Sequence, residues 1–269
     1  MTGSIVVVGE RINATRARVG GAIAARDEAY VRREARVQAD AGADYVDVNA
    51  GRASGNEAED LAWLVEVVQG EVDQPLCLDS ADPAALAAAM GKVERPPLVN
   101  SVNGEPARIE GIVPLVAERG ASVVALTMEE GRMPETVADR LRIAEKLADA
   151  IMSAGVPASR IFFDPCVLAA STSPEQPAAV LETTREILRA WPEAHVICGL
   201  SNVSFGLPAR KVLNWTFLAM MAACGADAFI VDPTAPAMRS TIAAAGVLTG
   251  RDEYGMSYIT EFRDGHVVG

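Results

Sequence analysis

The chain has 269 residues, of which 50% are hydrophobic and only 5% aromatic, so its core must be aliphatic and rich in alanine. A formal net charge of −12 argues against nucleic acid or an anionic membrane as partner, because phosphate groups are bound by clustered Lys and Arg. The sequence has no apolar run near the ~20 residues that a membrane span needs and no signal-peptide pattern, which predicts a cytoplasmic protein.

Eight short apolar runs, rich in β-branched residues, predict β-strands. In chain order they are IVVVGE (5–10), YVDVN (45–49), PLCLDS (75–80), PLVNS (97–101), SVVALTM (122–128), IFFDP (161–165), VICGLS (196–201) and AFIVDP (228–233). The segments between them carry apolar residues at helical spacing and often end at glycine, which predicts a crossover helix after each strand. Because continuous apolar strands joined by helices form parallel sheets, the pattern predicts a closed (β/α)8 TIM barrel.

The chain shows no internal boundary. No Pro/Ser/Gly-rich linker and no block of like charge divides it, so residues 1–269 are predicted to form a single domain. The last stretch, 251–269, is predicted to be an appended tail or short helix. The four cysteines are widely spaced and lack a C-x-x-C pair, which predicts reduced interior side chains and neither disulfides nor a zinc site: Cys77, Cys166, Cys198 and Cys224.

The predicted strand ends are unusually polar, and active sites of such barrels lie at the C-terminal ends of the strands. Because Asp and Asn are poor strand formers, sheet stability does not explain their recurrence there. Any one of them can be the N-cap of the next helix, but the whole set predicts a site. In strand order these residues are Glu10, Arg11 and Asn13; Asp47 and Asn49; Asp79 and Ser80; Asn100, Ser101 and Asn103; Thr127 and Met128; Asp164; Ser201 and Asn202; and Asp232.

Absent residue types narrow the chemistry. No lysine or histidine lies at a strand end, which disfavours Schiff-base chemistry and a histidine-built zinc or iron centre. The remaining carboxylates and carboxamides can accept and donate hydrogen bonds to a flat, nitrogen-rich heterocycle such as an aminopyrimidinone. Asp47, Asp79 and Asp164 would also suit a divalent-metal lyase, and these carboxylates alone do not distinguish a metal from an amine.

Seven motifs on successive strands resemble those of the pterin-binding methyltransferases, which move a methyl group between N5 of tetrahydrofolate and the cobalt of a corrinoid protein. The motifs are GERIN, DYVDVNAG, CLDS, LVNS, LTM, FDP and GLSNVS, with MSYITEF near the end of the chain. This family includes the folate domain of cobalamin-dependent methionine synthase. Its wider superfamily, which includes dihydropteroate synthase, shares the barrel.

The resemblance implies a pterin pocket formed by residues that the strand ends already single out. In the CLDS, LVNS and FDP motifs, the ligands of the pterin ring match Asp79, Asn100 and Asp164. Asp47 and Asn49 of the DVNAG motif are implied to complete the floor of the pocket. Glu10 and Arg11 of the first motif are expected to order it.

The resemblance also implies how N5 is activated. Asn202 of GLSNVS matches the residue that hydrogen-bonds near N5, and Ser201 is a weaker candidate beside it. Because an amide does not titrate, we expect Asn202 to act in a network with Asp164 and water, as the catalytic pair, in place of one titrating acid. Arg140 and Arg210 are candidates for binding the folate tail or for a structural ion pair.

The implied substrate is tetrahydrofolate or 5-methyltetrahydrofolate, and the implied partner is a separate corrinoid protein carrying cobalamin, because the chain has no DxHxxG-type cobalamin segment. A homodimer and no protein-bound metal are expected. The alternatives are a dihydropteroate synthase-like pterin enzyme and a non-catalytic pterin-binding subunit. The loop GRASGNEAED lacks the synthase signature, which disfavours the first of these. Phe205 follows SNVS where some members carry a polar residue, and its role is not predicted.

Overall fold

The computed structural model describes residues 4–51, 53–129 and 132–268 of the chain. Parallel strands close into a barrel in chain order, with the first strand paired to the last, so the predicted (β/α)8 TIM barrel is confirmed. The eight strands are β1 (Val6–Asn13), β2 (Tyr45–Asn49), β3 (Leu76–Asp79), β4 (Leu98–Asn103), β5 (Ser122–Leu126), β6 (Ile161–Asp164), β7 (His195–Gly199) and β8 (Ala228–Val231).

Helices connect the strands. They are α1 (Ala17–Ala24), α2 (Glu28–Asp40), α3 (Glu57–Gln69), α4 (Pro83–Met90), α5 (Pro106–Arg119), α6 (Val137–Ser153), α7 (Gln176–Ala190), α8 (Arg210–Ala223), α9 (Pro236–Leu248) and α10 (Met256–Arg263). Helix α1 is missing from the sequence prediction because its adjacent glycines, Gly20 and Gly21, are poor helix formers. Within the described ranges, no helix is long and apolar enough to cross a membrane.

Several helices begin at residues whose side chains satisfy free backbone N–H groups. Thr136 and Asp139 form a reciprocal capping box at the start of α6. The side chains of Asn56 and Asp82 accept hydrogen bonds from the first turns of α3 and α4. These caps fix where the loops after β2, β3 and β5 re-enter a helix.

The alternation of side chains along the strands divides the core into two parts. Residues that face outward pack against the helices in one large cluster. Residues that face inward form a smaller cluster, here called the interior plug, which consists of Val8, Cys77, Leu98, Val124, Phe162, Ile197 and Ala228. Because the plug fills the barrel with apolar side chains, any polar site must lie beyond it, towards the strand ends.

A polar network on the outside of β1 closes the barrel. Arg11 Nη2 lies 2.8 Å from Glu34 Oε2 on α2, and its Nη1 lies 3.1 Å from Asp232 Oδ2 after β8. The buried Gln38 accepts from the Arg11 backbone N–H at 2.8 Å. A Cβ at Gly9 would lie 2.5 Å from Gln38 Oε1, so this close packing requires glycine.

Candidate active site

A layer of polar side chains lies directly beyond the interior plug, at the C-terminal ends of five strands. Each member stands two positions after a residue of the plug, or after Tyr45, which packs against it. Because residues two apart on a strand point to the same side, the layer faces the interior of the barrel. Its members are Glu10, Asp47, Asp79, Asn100 and Asp164, so the structure brings together four of the predicted site residues and Glu10.

Asn49 links the layer across β2 and β3. Its Nδ2 donates to Asp79 Oδ2 at 2.9 Å, and the strand register sets Asp79 beside Asn100. The Oδ1 atoms of Asn49 and Asp47 are buried, and neither has a hydrogen-bond partner among the residues that the structure describes. Since buried polar atoms are normally paired, these two oxygens are suited to accept hydrogen bonds from a bound ligand.

The carboxyl groups at the floor of the site are strongly perturbed. Burial raises the pKa of Asp47 well above its ordinary value, and the nearby charge of Asp79 raises it further. Burial also raises the pKa of Asp79, against the hydrogen bond that Asn49 donates to it. The pKa of Glu10 is raised by burial as well. Burial therefore favours the protonated form of all three carboxyl groups.

Asp164 is perturbed by the same cause at the end of β6. Burial raises the pKa of Asp164 to about 7, although the Cys166 backbone N–H and the charge of Arg140 oppose the shift. That N–H donates to Asp164 Oδ1 at 2.8 Å, and Cys166 has the left-handed φ of 57°. Cys166 is not among the predicted site residues, although Asp followed by Pro is a recognisable turn signal. A carboxyl group with a pKa near neutrality can accept or donate a proton at working pH.

The predicted roles of Arg140 are wrong. Its side chain is fully buried, so it cannot reach a folate tail. Nε donates to the Pro165 carbonyl at 2.7 Å and Nη2 to Gln176 Oε1 at 2.6 Å, which supports the loop that carries Asp164. Arg140 forms no ion pair with any residue that the structure describes. The signal was present in the sequence, because Arg140 lies in the apolar stripe of α6 with Ile143 and Leu147.

Ser201 and Asn202 lie just beyond β7. The strand ends at Gly199, two residues earlier than predicted, and a 3-10 turn over Leu200–Asn202 follows it. Ser201 is half-buried and Asn202 is exposed at the mouth of the barrel. Arg210 orders this turn by donating from Nη2 to the Ser201 carbonyl at 2.6 Å. Within the described residues, no hydrogen bond joins the Asn202 side chain to Asp164, so a link between them requires substrate or water.

Four other strand-end residues have structural partners. Asn13 Oδ1 accepts from the Thr15 N–H, and Asn103 Oδ1 accepts from the Glu105 N–H at the start of α5. Ser80 donates to Glu57, and Asp232 pairs with Arg11. These residues shape turns and close the barrel, so the candidate site is smaller than the set of polar strand ends.

A cavity of about 260 Å³ lies away from the strand ends, between β1, α9 and α10. Its charged side chains already have partners. Arg239 Nε lies 2.6 Å from Glu261 Oε2, and Asp252 accepts hydrogen bonds from the backbone N–H groups of Ser257 and Tyr258. Among the described residues, this cavity therefore has none of the buried, unpaired polar atoms that mark the strand-end site.

Residue types that commonly bind metals are dispersed. Over residues 4–51, 53–129 and 132–268, no group of three or more His, Cys, Asp or Glu is arranged to hold a metal ion. His195 is the first residue of β7, at the end of the strand opposite the site, and its Nδ1 lies 2.7 Å from Asp227 Oδ2. As predicted, the four cysteines are buried and free: Cys77, Cys166, Cys198 and Cys224.

Comparison with known proteins places this site in context. A family model described as "Pterin binding enzyme" matches residues 9–232. The chain is 37% identical over 268 residues to a protein named methylcorrinoid:tetrahydrofolate methyltransferase from Eubacterium limosum, with 98% of each chain covered. It is 32% identical over 241 residues to methionine synthase from Mycobacterium tuberculosis, which covers 85% of this chain and 20% of that protein.

Solved structures of dihydropteroate synthases are similar in fold. The enzyme from Thermus thermophilus has a TM-score of 0.70 at 22% identity, covering 91% of this chain and 94% of that chain. The enzyme from Xanthomonas albilineans in complex with 7,8-dihydropteroate has a TM-score of 0.68 at 20% identity, covering 91% and 93%. At these identities the likeness shows the barrel and does not carry the activity.

Replacement of Asp164 by asparagine is expected to stabilise the unliganded protein. The amide oxygen can still accept from the Cys166 N–H, but no charge is buried. In the unfolded wild type the Asp164 carboxyl ionises at about pH 4, whereas in the folded protein its pKa is about 7. The free energy of unfolding of the wild type therefore falls as the pH rises between these two values. Asp164→Asn should therefore raise the free energy of unfolding above neutral pH by roughly 1 kcal/mol or more, with the gain vanishing near pH ~4.

Urea unfolding of both proteins across this pH range measures the difference. Asp73→Asn is the matched control, because the Asp73 side chain is 99% exposed and its charge is not desolvated. A gain of equal size at every pH, or a loss of stability above neutrality, would contradict the burial of an unneutralised carboxyl group at this position.

Proposed function

The chain belongs to the pterin binding enzyme family, and on that premise we propose that it is a methyltransferase acting on folate. It moves a methyl group between N5 of tetrahydrofolate and the cobalt of a corrinoid carried by a separate protein. The observation that carries this function is the likeness, over almost the full length of both chains, to a relative named for the same reaction. We extend the proposal to the whole chain, residues 1–269, as one pterin-binding domain.

The polar layer supports this proposal through its complementarity to a pterin ring. Such a ring presents an exocyclic amine and a ring N–H beside carbonyl and ring-nitrogen acceptors. We assign the carboxylates of Asp79 and Asp164 to the donors and the amide of Asn100 to the acceptors. Asp47 and Asn49, whose Oδ1 atoms are buried and unpaired, complete the floor beneath the ring.

We assign the activation of N5 to the residues at the mouth of the barrel. N5 of 5-methyltetrahydrofolate is a tertiary amine, so it must gain positive character before the methyl group can leave. The corrinoid of the partner protein supplies a cobalt(I) nucleophile for the methyl carbon. Asn202 can turn its carbonyl oxygen to a protonated N5, or its amide N–H₂ to the neutral amine, and so stabilise the developing charge.

The proton itself requires a group that titrates, because an asparagine amide does not. Asp164, with its pKa of about 7, can hold a proton near neutral pH and exchange it with water at the mouth. We therefore propose that Asn202, Asp164 and water act as one network. Ser201 stabilises the turn that presents Asn202, because its carbonyl accepts a hydrogen bond from Arg210.

A spectral assay tests the function directly. With 5-methyltetrahydrofolate, cob(I)alamin and no added metal, the protein should convert the cob(I)alamin spectrum to that of methylcobalamin. Binding of 5-methyltetrahydrofolate without transfer to any corrinoid would indicate a pterin-binding subunit instead. Formation of dihydropteroate from a pterin pyrophosphate and 4-aminobenzoate would indicate a synthase.

Asn202→Ala is expected to lower the rate of methyl transfer by ~10² to 10³, because a lost contact to developing charge has that cost. The dissociation constant for 5-methyltetrahydrofolate, measured by fluorescence titration, should change far less. Asn13→Ala is the matched control, since Asn13 is also a strand-end amide but hydrogen-bonds to Thr15. Unchanged turnover of the Asn202 variant would remove this residue from the mechanism.

We also propose that the chain forms a homodimer and works in the cytoplasm. Helix α8 supports the first proposal, because Val212, Leu213 and Met220 are 56%, 38% and 44% exposed on its outer side. Contiguous apolar side chains on a surface commonly mark a protein interface. The four free cysteines are compatible with a reducing compartment.

The double variant Val212→Glu, Leu213→Glu should shift the particle from the mass of two chains to that of one in light scattering, because it sets charges against an apolar interface. Leu248→Glu, at the end of α9, is the control, since Leu248 is 85% exposed but lies outside α8. A wild-type protein with the mass of a single chain would overturn the homodimer.

A further inference from the structure

Phe205 is an aromatic residue exposed at the mouth of the barrel, three positions after Asn202. Its side chain is 66% exposed, and Met133, in the loop between β5 and α6, is 48% exposed at the same end of the barrel. A single exposed apolar side chain on a soluble protein needs no explanation. The position and the rigid support of Phe205, however, distinguish it from such a residue.

The backbone around Phe205 is tied to the neighbouring loop after β6. The Ser171 hydroxyl donates to the Phe205 carbonyl at 2.7 Å, and the Ala170 N–H donates to the Val203 carbonyl at 3.0 Å. Since loops lose mobility when their backbone groups are paired, Phe205 is presented in one place.

Arg210 supports the same segment from the other side. Its Nε donates to Ser204 Oγ at 3.0 Å, and its guanidinium carbon lies 6.0 Å from the centre of the Phe205 ring. This distance is at the outer limit of a cation–π contact. The ring is thus oriented by a cation on one side, while most of its surface stays open to solvent.

The geometry of the reaction places a large apolar group over this residue. In-line displacement puts the methyl carbon between N5 and the cobalt, so the cobalt approaches Asn202 from the solvent side. The Phe205 N–H donates to the Asn202 carbonyl at 3.1 Å, a turn that keeps the two Cα atoms within about 7 Å. Because the cobalt lies at the centre of a macrocycle far wider than a methyl group, the macrocycle must cover the residues next to Asn202.

We propose that Phe205 is the contact against which the corrin macrocycle packs while the methyl group is transferred. The faces and the methyl-bearing edge of a corrin are apolar, and an aromatic ring gives a large contact area with few rotatable bonds. This inference rests on the proposed function, and it identifies the corrin macrocycle as the group that contacts the rim of the candidate active site. Phe205 thereby sets the position of the corrinoid, whereas Asn202 acts on N5.

The test compares Phe205→Ala, Phe205→Leu and the wild type with free cob(I)alamin as methyl acceptor. Loss of an aromatic contact at an interface should lower kcat/KM for cob(I)alamin about tenfold in the alanine variant, mainly through KM. The leucine variant keeps apolar volume and should recover most of this loss. The dissociation constant for 5-methyltetrahydrofolate should remain that of the wild type, which also reports that the variant is folded.

Leu248→Ala is the control, because this side chain is 85% exposed at the far end of α9, away from the mouth. Wild-type kcat/KM for free cob(I)alamin in Phe205→Ala would overturn the proposal. A loss seen only with a protein-borne corrinoid would also overturn it, because the contact would then be to the partner's polypeptide. Absence of transfer by the wild type would instead refute the proposed function.

Discussion

The burial of carboxyl groups above an apolar plug is the constraint on which this structure depends. A closed barrel points every second side chain inward, and the interior plug excludes water from below. Asp47, Asp79 and Asp164 lie beyond it, where burial raises the pKa of each. The nearby arginines do not overcome this effect, since Arg11 pairs with Glu34 and Asp232, and the charge of Arg140, which binds backbone carbonyls, opposes the shift at Asp164 only in part. Hydrogen bonds from a ligand are strong in such an environment, and they replace the solvation that folding removed.

The loops after β6 and β7 hold the strand-end residues in place. The arginines that support these loops donate hydrogen bonds mainly to backbone carbonyls. Arg140 supports the turn after β6, and Arg210 supports the turn after β7. The Ser171 hydroxyl joins the two turns through the carbonyl of Phe205. Because these contacts exist before any ligand binds, the groups that we propose to meet N5 and the corrinoid need little reorganisation during transfer.

The barrel fold of this protein does not by itself determine which reaction the protein catalyses. Dihydropteroate synthases share the fold at low sequence identity, so the barrel by itself does not discriminate between reactions. We propose that the discrimination comes from side chains at the strand ends and in the loops after β6 and β7. The proposed pterin pocket at the floor would suit either class of enzyme, whereas an asparagine and an exposed aromatic at the rim fit the proposed second, large co-substrate.

The sequence by itself determined the alternation of strands and helices and the closed barrel, because two-residue and helical periodicities are local patterns. For the same reason it also determined the inward-facing residues at the strand ends, which are Asp47, Asp79, Asn100 and Asp164. Only the tertiary structure decided which strand ends are free. Asp79 and Asp232 look alike in sequence, since each follows an apolar strand. Asp232, however, pairs with Arg11, 221 positions away, while among the described residues the Asp79 side chain accepts a hydrogen bond only from the amide of Asn49. Such pairings arise when the barrel closes, and no local pattern in the chain encodes them.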